Sequence, residues 1–285
     1  MALDKVHAAR TWRTAHGDMT DAEWELIGDL VAPDWKPGTM GRPVVVERRR
    51  VVDAVFYVAA TGCRWRALPQ EYPNWNTVHR YHLAWSRDGT WEAIAQRLAA
   101  AVRVREGRQA EPSAGIVDAR SVRGASTVTG TTRGCDAAKK ISGRKTFGIT
   151  DTLGLLVAVV VVAANVSGNA GGVIVADDAS GRLARFGRLW CDAGFKKTFA
   201  EHCDTVGIAV EVVHRPRRAG FTVLPKRWVV ERTWSWLMNS RGLQVDYERD
   251  PAVTEGFIWA AHSRYLLWFT LGFAQAPSIG ASMGS

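Results

Sequence analysis

The chain has 285 residues, 47% of them hydrophobic and 23% charged, an ordinary composition for a globular protein and enough length for one or two domains with a buried core. Its 37 lysines and arginines outnumber 28 acidic residues, a formal net charge of +9, and an excess of that sign favours a polyanionic partner, nucleic acid first. The longest apolar run, 153–164, is too short to span a bilayer, the first residues lack the apolar core of a signal peptide, and Cys63, Cys135, Cys191 and Cys203 form no CxxC pair. A reduced, cytoplasmic protein without membrane, disulfide or zinc finger is expected.

In chain order, the first hundred residues read as helices. Thr20 and Glu23 form a capping-box pattern that opens the first helix. ERRRVVDAVFYVAATG places Val52, Val55, Phe56 and Ala59 at helical spacing and ends at Gly62, a C-cap. Asn76 precedes a third helix with the stripe Val78, Tyr81, His82, Trp85, and Thr90 opens a fourth with Trp91, Ile94, Ala95, Leu98. His82 lies on the apolar stripe, so a core role outweighs metal binding by the pair His79 and His82. Gly41-Arg42-Pro43 reads as linker rather than a minor-groove hook.

After the charged stretch REGRQAEPSAG the pattern changes. AGIVDAR reads as a strand, and FGITDTLGLLVAVVVVAANV as two strands joined at a turn over 151–154. GRLWCD is a strand, FKKTFAEHCDTVG a helix, IAVEVV a strand, RWVVERTWSWL a helix, and Asp250-Pro251 opens a last helix. The order strand-strand-strand, helix, strand, helix, strand, helix predicts an α/β domain on a mixed sheet, over about 112–275, preceded by an all-α domain over about 18–105.

Three carboxylates stand in apolar text: Asp118 in IVDAR, Asp192 closing RLWCD, and Glu231 in VVERTWSWL. Such groups are costly unless paired or holding a cation, and strand ends are where open α/β sheets place ligands. If the two strands are neighbours, a helix packed on the sheet can add Glu231. Three hard oxygen donors suit magnesium or manganese, and two such ions can serve an in-line phosphoryl displacement. Spacing alone leaves the structural reading open, with the aspartates as turn formers and Glu231 paired to Arg227 or Arg232.

The segments TDAEWELI, TGCRWRALP, WNTVHRYHLAW, DGTWEAI, VDARSVRG, KKISGRKTFGITDTLGLL, CDAGF and RWVVERTWSWLMNSRGL, in this order over roughly 18–270, resemble the DDE transposases of bacterial insertion sequences, in the short group with a helical N-terminal domain. The resemblance implies a ribonuclease H-like catalytic domain with Asp118, Asp192 and Glu231 as its metal-binding catalytic trio and Arg227 as its basic helix position. Where the family often has a further basic residue past Leu237, this chain has Met238 and Asn239, with Arg241 as a possible substitute. The stretch 193–230 has room for one helix and one strand, so the larger insertion domain of some relatives is absent.

On this reading the helical domain binds the terminal inverted repeats of the element, with helix 76–87 as the groove candidate. The catalytic domain uses two magnesium ions (manganese as substitute) to hydrolyse strands at the ends and join the 3′-hydroxyls to target DNA. A homodimer on double-stranded DNA is expected, because two ends must be joined. Lys139, Lys140, Arg144 and Lys145 are expected to contact phosphates beside the site. Arg215, Arg217, Arg218, Lys226, Arg227 and Arg232 form an expected backbone-binding rim. GRKT lacks the Walker adjacency, so no nucleotide cofactor is implied. Trp234 and Trp236 are candidates to stack on an unpaired base. Two rivals remain: a DNA-binding regulator derived from a transposase, and a ribonuclease H-like nuclease without strand transfer.

Overall fold

The computed structural model describes residues 18–31, 46–195, 197–213 and 226–271. The helical part holds α1 (Asp21–Glu25), α2 (Gly28–Val31), α3 (Arg48–Thr61), α4 (Trp75–Arg87) and α5 (Thr90–Arg105). Thr20 and Glu23 make the reciprocal capping box, and Gly62 closes α3 at φ +67°, a left-handed cap that a glycine adopts without strain. Two caps differ from expectation. Asn74, not Asn76, accepts the amide of Asn76 at the start of α4. Gly89 is the N-cap of α5, with Asp88 accepting from the amide and hydroxyl of Thr90. His82 is buried and accepts from the Trp91 indole at 3.0 Å.

The remainder comprises β1 (Ala114–Gly124), β2 (Gly134–Asp136), β3 (Ile141–Asp151), β4 (Leu156–Ala163), α6 (Gly168–Arg182), β5 (Arg188–Cys191), α7 (Lys197–Thr205), β6 (Ala209–Val212), α8 (Arg227–Leu237), β7 (Val245–Asp246) and α9 (Pro251–Thr270). The seven strands form one mixed sheet in the order β2-β3-β1-β5-β6, with β4 beside β3 and β7 beside β1. This is the mixed α/β architecture expected of a ribonuclease H-like domain. Helix α6 stands where the expected order has its first helix, in a segment the sequence marks poorly: GNAGGVIVADDASGR is glycine-rich and has no helical stripe. Its helicity follows from packing, with Val175, Ala176 and Ala179 buried on the sheet.

Alternation along the strands divides two cores. Val117, Phe147, Ile149 and Val157 face α6 and α7, while Ile116, Leu156 and Trp190 join the opposite cluster with α8, α9 and helices α3 to α5. The N-terminal helices therefore share a core with the sheet, and α9 lies between them. Strand β4 is an outer strand whose free backbone groups would invite pairing with another chain. Side chains take them instead: Gln96 and Arg182 donate to the Val157 carbonyl, Glu255 accepts from the Val161 amide, and His262 accepts from the Leu156 amide. No helix among the described residues is long and apolar enough to cross a membrane.

Candidate active site

Strands β1 and β5 run parallel with Ile116 opposite Trp190. Two residues further along that register, Asp118 comes level with Asp192. Both therefore lie on the α8 side of the sheet at the end of β5. Asp192 turns the chain by accepting the Gly194 amide at 2.8 Å through Oδ1. Helix α8 reaches this point because the cross-strand partner of Asp118 is Gly148. A Cβ there would meet the Trp234 ring at 2.7 Å, so a larger residue would lift the helix that carries Glu231.

Two of the three acids flank one guanidinium, and the third, Asp118, feels its charge. Arg227 Nη2 lies 3.2 Å from Glu231 Oε1 and 3.7 Å from Asp192 Oδ2. Asp118 is pushed above the usual carboxylate range by burial and by Asp192, while its neighbours Arg227 and Lys139 pull it back. The donor set suits a hard divalent cation: three carboxylates, one of them partly desolvated beside a like charge, a penalty that a cation offsets. As they stand, with Arg227 among them, no three His, Cys, Asp or Glu side chains among the described residues lie within metal-holding distance.

The basic residues named from sequence divide sharply. Lys139 and Lys140 are exposed on the turn before β3, and Lys139 Nζ approaches the Ala119 carbonyl at 3.4 Å, next to Asp118. Arg241 is exposed in the turn after α8. Arg144 is a correction: it is fully buried and donates to Asp246, Thr254, Thr132 and the Arg249 carbonyl. It ties β3 to the segment before α9 and has no donor left for a phosphate. Lys145 is likewise engaged, with the Val166 carbonyl at 2.9 Å and Asp136 at 3.5 Å. Arg232 is not part of a rim either. It stacks between Trp228 and Trp236 and donates to the Leu153 carbonyl, fastening α8 to the β3–β4 turn. Lys226 lies over the Trp190 ring and 3.8 Å from Glu211. Arg215, Arg217 and Arg218, like Gly41-Arg42-Pro43, lie outside the described residues. Trp234 is buried against the sheet and offers no face to a base, and Trp236 is partly covered by Arg232.

Sequence reasoning passed over Arg120. It is partly buried on the same strand and face as Asp118, two residues on. The signal was available in VDARSVRG, where alternation puts Asp118 and Arg120 on one side of the strand.

A family model described as a transposase DDE domain matches residues 109–266, and another, described as a putative transposase of the IS4/5 family, matches residues 19–95. The chain is similar to an "Insertion element IS402 uncharacterized 16.2 kDa protein" of Burkholderia cepacia, with 32% identity over 107 residues, 36% of this chain and 71% of that protein. No solved structure matches.

Proposed function

This chain belongs to the DDE transposase family, and from that premise we propose that it binds the inverted repeats at the ends of its own element, cuts strands there and joins the freed 3′-hydroxyls to target DNA. The observation that carries the reading is that Asp118 comes level with Asp192 across the β1–β5 pair while Arg227 of α8 lies between Asp192 and Glu231.

In this reading the three carboxylates hold magnesium, or manganese in its place, in two ions. When bound, these supply activation of the attacking oxygen and stabilisation of the leaving one. The chain's own residues do the rest. Among the described residues Arg227 is the cation that contacts two of the acids, and it is available to a phosphate oxygen. Lys139, with Lys140 beside it, guides the backbone past Asp118, and Arg241 adds a contact beyond α8. Helix α4 exposes Asn76, Arg80 and Ala84 while burying Val78, His82 and Trp85, a face suited to a groove. Joining two ends calls for a homodimer on DNA.

The test uses the full chain and duplexes copied from the DNA flanking its reading frame. With magnesium, the parent should nick at the element boundary, and Asp192→Asn should bind the same duplex without nicking it. Asn keeps the acceptor for the Gly194 amide. Parental nicking by that variant would overturn the assignment of the acids. Binding by the parent without nicking under any divalent ion would favour the regulator reading.

A further inference from the structure

The α8-facing side of the sheet carries two arginines one cross-strand pair apart. Arg120 faces Thr146, and Arg144 faces Val122. Their surroundings are opposite. Arg144 is buried with a carboxylate, two hydroxyls and a carbonyl around it. Arg120 has no hydrogen bond, ion pair or aromatic ring among the described residues, and burial alone pulls its pKa below the usual guanidinium value. Arginine carries five donors in a planar fork, and a partly desolvated guanidinium without a counter-charge destabilises the fold that holds it.

Its position is equally particular. Strand β1 pairs with β5 only over 114–116 and with β7 only over 123–124. Among the described residues, 117–122 therefore have a strand neighbour on the β3 side alone, leaving a notch about 20 Å long at strand rise. Asp118 stands at one end of it and Arg120 near its middle. Arg120 also borders a shallow, solvent-open cleft that runs along α8 past Trp234 and Leu237 to Tyr247 and Glu248. The acids of that cleft do not serve Arg120. Asp246 is taken by Arg144 and Thr254, and burial raises Glu248 to about 7, which leaves it a weak counter-charge.

We propose that Arg120 is a phosphate-binding residue, gripping the DNA backbone one or two nucleotides from the bond that the Asp118 site cuts. The spacing of Asp118 and Arg120, about 6.6 Å for alternate residues of a strand, matches the step between neighbouring phosphates. The inference rests on the proposed function but adds a contact that the acids do not supply. It also assigns Arg120 a ligand where the described residues offer it none.

The experiment takes the full-length parent, Arg120→Gln and Arg120→Lys with flanking-DNA duplexes in which single phosphates are replaced, one at a time, by uncharged methylphosphonates. Arg120→Gln should leave thermal stability unchanged or raised. It should cut roughly 10- to 100-fold more slowly, the effect of losing one charged hydrogen bond, and Arg120→Lys should recover part of that rate. One substituted phosphate near the cut should slow the parent yet have no further effect on Arg120→Gln. If every substitution slows both proteins alike, or if Arg120→Gln cuts at the parental rate, the proposal is overturned. A binding arm in calcium needs no cleavage: Arg120→Gln should reduce the slope of log affinity against log salt by about one. An unchanged slope overturns the Arg120 contact even if the parent cuts normally. A reduced slope with a parent that never cuts supports the contact and removes the strand-cutting reading instead.

Discussion

Two sets of carboxylates, those at the seam between sheet and helices and those where β5 ends beside the middle of β1, are treated differently. At the seam, Asp151 accepts from Arg103 and from the amides of Leu153 and Leu155 at 2.8 and 2.9 Å. Asp246 accepts from Arg144, Thr254 and the Glu248 amide. Where β5 ends, Glu231 and Asp192 share one guanidinium, Asp192 adds only the Gly194 amide, and Asp118, raised by burial, accepts the Ala119 amide with no side-chain donor among the described residues. Both regions pair acids with arginine, so pairing alone does not separate architecture from chemistry. The count of donors does: a saturated carboxylate holds the fold, while one with lone pairs to spare is available to a cation.

The contrast can be broken in order of expected effect. Asp192→Asn should lower strand cutting by about 10³-fold or more while moving the thermal midpoint little, since the acceptor for Gly194 remains. A large stability loss would place Asp192 with the seam. Asp151→Ala should do the reverse. It strands Arg103 in the interior and should cost about 3–5 kcal/mol in denaturant unfolding, with the folded fraction still cutting DNA at the parental rate; a cost below about 1 kcal/mol would end the distinction.

Glu255 sharpens the comparison through pH. Burial raises it to about 7, reinforced by Asp178, Asp250 and Glu92 and opposed by the Val161 amide, with Arg182 paired to Glu92 and Asp178 nearby. A carboxyl raised in the folded state contributes its full stability in acid and loses it as pH rises through 7. Glu255→Gln, which keeps an acceptor for Val161, should match the parent near pH 4.5 and exceed it by about 1–3 kcal/mol at pH 8; equal unfolding free energies at both pH values would show that Glu255 ionises freely. The smallest effect belongs to Lys139→Ala. It should weaken DNA binding severalfold and reduce the salt slope by about one, whereas an unchanged slope would mean that Lys139 serves only the Ala119 carbonyl.

The candidate acids stood out in the sequence because an acidic residue within or closing an apolar strand, or inside a tryptophan-rich helix, is a local anomaly visible without contacts; that β1 continues six residues past Asp118, which puts this acid mid-strand rather than at an end, was not visible. The basic residues were harder. Arg144 and Lys145 occur in the same short run as Lys139 and Lys140, but Arg144 alternates onto a face that Asp246 and Thr254 close from 102 and 110 residues away. Arg232 looks like rim in the sequence because its neighbours there are basic, while the ring stripe that holds it, Trp228 and Trp236 one turn away on either side, shows only on the folded helix. Helix α6 left a faint pattern because its glycines suit close packing on the sheet more than helical propensity.

Sequence alone determined the longer elements apart from α6 (the short strands β2 and β7 left no pattern in it), most of their caps, and which carboxylates stand in unfavourable company. These follow from periodicity and turn chemistry, which act within a few residues. Only the tertiary structure decided which cations are satisfied. Whether an arginine is a strut or a waiting hand depends on partners brought together by strand register and helix packing, and neither can be counted before the chain closes on itself.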